Sequence, residues 1–157
     1  MKLSKNQISL IVLAIVSILA VAGLGSLFVN LGMNWFDATT KPSQWIPTAI
    51  IPIVWSIIYL SAAIIISIWI KRDGKLPKST TILFIINGIL NVLWCLTFFT
   101  LQQTFLGNIV IIINLIAAIV LWLNIFKREK IYSYFLALYP LWLAIATTLN
   151  LAIWILN

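Results

Sequence analysis

Long apolar runs alternate with short polar segments along the chain. Five runs reach about 20 residues, the length an α-helix needs to cross the hydrocarbon of a bilayer. They cover roughly 8–29, 47–70, 80–101, 105–126 and 132–156, and none contains Lys, Arg, Asp or Glu. Transmembrane strands would alternate apolar and polar positions over about ten residues. The run from Ile109 to Ile113 is instead apolar at every position. The pattern predicts an all-α fold: a polytopic five-transmembrane-helix bundle, in a single domain over 1–157.

The segments between the runs orient the bundle. Lys2 and Lys5 precede the first run, Lys71, Arg72, Lys75 and Lys78 follow the second, and Lys127, Arg128 and Lys130 follow the fourth. These segments alternate onto one side of a membrane, leaving only Lys41 for the other. The positive-inside rule then puts the amino terminus in the cytoplasm and the carboxyl terminus outside. Ala20-Val21-Ala22 has the small-residue look of a signal-peptide cleavage site. The apolar run continues to Val29, however, and is too long for a signal core. The third connection, Gln102-Gln103-Thr104, makes its flanking runs a tight antiparallel pair. The first, residues 30–46, is longer and holds Trp35, Phe36, Asp37, Pro42 and Trp45, which suits a lid or short helix across the mouth of the bundle. Pro52 and Pro140 fall inside runs and are expected to bend them.

Composition narrows the function. Of the 157 residues, 63% are hydrophobic and 8% charged, against roughly 45–50% and about 25% in soluble domains. The expected partner is therefore the lipid bilayer. The net charge of +7 lies in short clusters beside apolar runs, the pattern of topology signals and headgroup contacts rather than of nucleic-acid binding. The chain has no His, one Cys (Cys95) and three acids, Asp37, Asp73 and Glu129, in three separate connections. That excludes His acid–base catalysis and argues against a metal site, which wants clustered His, Cys and carboxylates.

Amides and indoles are where chemistry remains. Eight Trp is heavy use. An interfacial belt accounts for Trp69, Trp122 and Trp154 near run ends, but not for Trp55, Trp94 and Trp142. In the third run Asn87, Asn91, Trp94 and Phe98 share one helical face. Trp55 and Tyr59 share one in the second run, and Trp142, Ala146 and Asn150 in the fifth. An amide turned to lipid lacks hydrogen-bond partners, so these faces should point inward. Flat aromatic walls with a few polar handles suit a planar, mostly apolar ligand. Packing between helices is the competing role, above all for Asn87 and Asn114, because intramembrane Asn also joins helices.

Three stretches resemble the TspO/MBR family, the tryptophan-rich sensory proteins related to the mitochondrial translocator protein. They are Trp35-Phe36-Asp37 with Lys41-Pro42-Ser43 and Trp55; Asn87, Asn91 and Trp94 with Phe98-Phe99; and the segment from Trp142 to Asn150. The resemblance implies a five-helix homodimer that binds tetrapyrroles such as protoporphyrin, and benzodiazepine-like compounds, in a cavity beneath the first long connection. Carried over by motif, the lining includes Phe36, Trp55, Asn91, Trp94, Trp142 and Ala146, to which the faces above add Tyr59 and Asn87. No catalytic residue and no required cofactor follow. The tetrapyrrole enters as ligand of a sensor, with light-dependent porphyrin breakdown or transport of small hydrophobic molecules as alternatives. The family's KPSW block reads Lys41-Pro42-Ser43-Gln44-Trp45 here, with the Trp displaced by one. No Tyr, Lys or Arg follows Tyr139, so the sterol motif of animal members is missing, in keeping with a bacterial plasma membrane.

Overall fold

The computed structural model describes residues 3–43 and 46–157. Lys2 of the basic side and Gln44 and Trp45 of the first connection, named above, lie outside the described residues. The chain folds into α1 (Lys5–Ala38), α2 (Ile50–Asp73), α3 (Lys78–Cys95), a π-helical turn (Leu96–Thr100), α4 (Thr104–Arg128), α5 (Lys130–Leu136) and α6 (Leu138–Leu156). The π turn extends α3, and α5 and α6 share one span, so among the described residues five helical segments are long and apolar enough to cross a membrane. They close a ring: α1 touches α2 and α3, α4 lies against α3 and α6, and α5 and α6 meet α2.

Polar contacts fasten both ends of the ring. At the basic end Ser4 caps α1 in a reciprocal pair with Gln7. The Gln7 amide also donates to the carbonyls of Ile70 (3.0 Å) and Lys71 (3.2 Å). Those carbonyls belong to the last turn of α2, where Ile70 O also accepts from the Gly74 N–H (2.8 Å) that ends the helix. Arg72 joins Asp73 (2.7 Å) and Glu129, so two of the three acids meet one cation although the sequence places them in separate connections. At the first-loop end Asn157 Oδ1 accepts from Thr40 N (2.8 Å), and its Nδ2 donates to Thr40 O (3.1 Å). That pair ties the end of α6 to the exit of α1.

Four features differ from the sequence reading. First, α1 does not stop near Val29. It runs on to Ala38, with no proline before the Thr39 cap to stop it. Trp35, Phe36 and Asp37 are therefore helical rather than part of a loop. Second, the π turn rotates the end of the third span: Leu101 N bonds to Leu96 O (2.9 Å), five residues back. Third, Pro52 does not bend α2. It lies in the first turn, where its missing N–H would have no helical partner. The break comes instead at Ala137, three residues before Pro140, whose ring denies Leu136 O a donor. Fourth, Trp69 is 2% exposed and packs on Tyr132 at 5.6 Å, so it is a core residue. Trp154, at 44% exposed, fits the belt.

In lipid, helices associate through close backbone approach rather than hydrophobic exclusion. Gly32 provides it. A Cβ there would stand 2.1 Å from the carbonyl oxygen of Phe99, so α1 crosses the π turn backbone against backbone. Gly107 on α4 meets the Phe98 side chain, with 2.9 Å left for a Cβ.

Candidate functional site

The close crossing at Gly32 draws the last turns of α1 over the π turn. The same approach brings Phe36 against Phe99, with ring centroids 5.2 Å apart. From there the aromatic side chains run inward in unbroken contact. Phe99 meets Trp94 edge-on at 5.8 Å, Trp94 meets Trp55 at 6.2 Å, and Trp55 stacks on Tyr59 at 5.7 Å with 27° between planes. Tyr139 closes on Trp55 from α6 at 6.2 Å. These are separations at which ring pairs attract beyond their buried area.

Along this wall lies a cavity of about 380 Å³, bounded by α1, α2 and the third span. Phe36, Trp55, Tyr59, Asn91 and Trp94 all line it. Its polar side chains are Ser26, Asn30, Thr48, Ser56, Tyr59 and Asn91, beside the Trp94 indole. Asn91 Nδ2 donates to the Tyr59 hydroxyl at 3.1 Å. Trp94 Nε1 is buried and finds no acceptor among the described residues. Lys41 caps the end of α1, its Nζ donating to Phe36 O at 2.8 Å and sitting 4.7 Å from the Phe36 ring centroid. A volume within the usual range for small-molecule sites, aromatic walls and an unspent indole donor fit a flat, mainly apolar ligand with an acceptor at its rim.

The other residues singled out in the sequence fall elsewhere. Asn87 joins helices: its Nδ2 donates to Leu83 O (2.8 Å) and to Ala117 O of α4 (3.2 Å). It also borders a second cavity, on the basic side of Tyr59. Trp142 and Ala146 are buried but line neither cavity. They sit on α6, which packs mainly against α4. Asn114 accepts from the Tyr139 hydroxyl at 3.2 Å, a bond between α4 and α6. Phe98 is fully buried, and Phe99 takes the cavity position. Met33, Cys95 and Phe99 line the cavity and were not expected to. The spacing of Asn91, Cys95 and Phe99 at four-residue steps held a signal for two of them.

Comparison with known proteins adds a second line. A model described as the TspO/MBR family matches residues 12–155, and so takes in α1 as well as the stretches from Trp35 onward. The tryptophan-rich protein TspO of Chlorobaculum tepidum is 30% identical, over 97% of this chain and 98% of its own. Proteins of the same name from Bacillus cereus (27% identical, 85% and 88% covered) and Archaeoglobus fulgidus (29%, 94% and 96%) are similar over nearly as much.

Proposed function

Since the chain belongs to the TspO/MBR family of integral membrane proteins, we propose that it is a sensor whose first-loop-end cavity binds a porphyrin-like tetrapyrrole. The observation that carries this reading is the continuous aromatic wall from Phe36 to Tyr59, bordered by Asn91 and by the unpaired indole N–H of Trp94. Trp55, Trp94 and Phe99 would hold the macrocycle by stacking and edge contacts. Asn91 and Trp94 would orient it through its polar rim. A tetrapyrrole supplies its own light absorption and redox chemistry. This chain contributes a slot that binds it, keeps water away and fixes its angle. The cavity walls carry no carboxylate or ammonium among the described residues that line them, which favours binding over acid–base turnover.

The same reading places the basic end in the cytoplasm of a bacterial cell, with the protein in the plasma membrane as a homodimer. Eight described cations, Lys5, Lys71, Arg72, Lys75, Lys78, Lys127, Arg128 and Lys130, flank the basic end, against Lys41 at the other. That asymmetry is the support for orientation.

The test is titration of the detergent-purified protein with protoporphyrin IX, followed by porphyrin absorbance and Trp fluorescence. Trp55→Ala and Asn91→Ala should each weaken binding at least tenfold, equivalent to about 1.4 kcal/mol. Trp142→Phe should stay within twofold of the parent, because Trp142 lines neither cavity. Parent-like affinity in both Trp55→Ala and Asn91→Ala would overturn the assignment.

A further inference from the structure

The Tyr59–Asn91 hydrogen bond is a partition as well as a polar handle. Both residues border the cavity just described and also a second one of about 450 Å³ on the basic side. The back wall of the second cavity is a single stripe on α2: Ile58, Ala62, Ile66 and Ile70, all buried and four residues apart. Its lips are residues of α1 and α3 that face lipid, among them Leu13 (62% exposed), Ile85 (56%) and Ile89 (61%). The space is therefore a vertical slot, open sideways to the acyl layer between α1 and α3.

Its chemistry is apolar along the shaft and charged at one end. Of the polar side chains on its walls, Tyr59 and Asn91 bond to each other, Tyr139 to Asn114, and Asn87 Oδ1 is buried without a partner among the described residues, while others turn to backbone. Ser17 Oγ donates to Leu13 O (2.8 Å), Thr81 Oγ1 to Pro77 O (3.2 Å), and the Asn87 amide to Leu83 and Ala117. At the basic end the slot reaches Lys75, in the turn after α2. Lys75 is exposed and joins no ion pair among the described residues. The stripe from residue 58 to 70 rises about 18 Å at 1.5 Å per residue. Half of a bilayer's hydrocarbon is about 15 Å deep. The slot thus has the depth of one leaflet, a wall for one chain, and a cation at headgroup level.

We propose that this second cavity is a binding site for one long-chain fatty acid. The chain lies along the α2 stripe, its methyl end stops at the Tyr59–Asn91 bond, and its carboxylate faces Lys75. The site is separate from the tetrapyrrole cavity and does not depend on what that cavity holds.

Photo-crosslinking tests it. The full-length protein in phosphatidylcholine nanodiscs is irradiated with palmitic acid carrying a mid-chain diazirine, and labelled peptides are mapped by mass spectrometry. Labels should concentrate on the α2 stripe and on Phe84 and Ile85 of α3. Excess palmitic acid should compete, and hexadecanol should compete at least fivefold less well. Lys75→Gln should cut labelling about fivefold, the worth of one basic residue facing an anionic head. Ala62→Phe fills the back wall and should abolish labelling. Ser17→Trp blocks the slot from a lipid-facing position of α1, so it tests the same point without disturbing the core. Labels spread evenly over the lipid-facing residues of α1, equal competition by hexadecanol, or labelling unchanged in Lys75→Gln and Ser17→Trp would each overturn the proposal.

Discussion

Gly32→Ala is the sharpest test of how the first-loop-end cavity is built. The new Cβ would stand 2.1 Å from the Phe99 carbonyl oxygen and 2.4 Å from its carbonyl carbon. A carbon sits at about 3.3 Å or more from a carbonyl oxygen in ordinary contact, so α1 must withdraw by about 1.2 Å. The obstacle is backbone within a π turn, not the flexible end of a side chain, so it cannot swing aside. Overpacking of this kind costs about 1–3 kcal/mol. A loss of about 2 kcal/mol corresponds to a fall of about 4–8 °C in Tm for a chain of this size. The displaced segment carries Met33 and Phe36, both on the cavity wall, so ligand affinity should fall together with stability. Gly23→Ala is the control: nothing lies within 4 Å of a Cβ there, and Ala is the better helix former. Thermal unfolding in detergent, with and without protoporphyrin IX, reads both effects. A Gly32→Ala protein that melts and binds like the parent would show that α1 does not cross the π turn this closely, and the account of the aromatic wall would fail with it.

Two further predictions concern packing and orientation. Asn87→Ala removes the amide that ties α3 to the Ala117 carbonyl of α4. It should cost about 0.6–2 kcal/mol in unfolding free energy, measured by steric-trap or denaturant unfolding, while protoporphyrin affinity stays within twofold; a loss of binding without a loss of stability would make Asn87 a ligand contact instead. Cys95 is buried, so it leaves a low background for thiol labelling in intact cells. Gln103→Cys, exposed at the first-loop end, should react with a membrane-impermeant maleimide from outside, and Lys127→Cys only after permeabilisation; the opposite pattern would invert the orientation.

The span count was legible because the relevant quantity is additive. Charges are so costly in hydrocarbon that five charge-free runs of bilayer length admit few other readings, and the described residues hold five helical segments long and apolar enough to span. Span ends were less legible. Exit from lipid does not by itself stop a helix: α1 continues to Ala38, past the expected Val29, with no proline to end it and with Gly32 and Phe36 held by packing on Phe99. The π turn was invisible for a different reason. It packs against Gly32 and Gly107 through Phe99 and Phe98, contacts between segments more than 60 residues apart in one case and adjoining in the other. A local pattern in the third span cannot register them.

The site shows the same division between face and neighbour. Helical period tells which residues share a face, and it grouped Trp55 with Tyr59 and Asn91 with Trp94 as the structure does. It does not tell which helix that face will meet. The α6 face with Trp142, Ala146 and Asn150 has the same composition of indole, small residue and amide, yet α6 lies chiefly against α4. There Tyr139 of α6 donates to Asn114 of α4, and Trp142 Nε1 and Asn150 Nδ2 are buried with no partner among the described residues and line neither cavity. Around Trp55 the same chemistry borders open volume between α1, α2 and the third span, beside the crossing where Gly32 brings α1 against the π turn. An inward polar face in a membrane bundle is therefore a necessary condition for a ligand site, and the spacing of the neighbouring helix is what makes it sufficient. Gly32 fixes how closely α1 meets the π turn beside that volume, so a residue with no polar atom in its side chain helps to shape the face that borders the cavity.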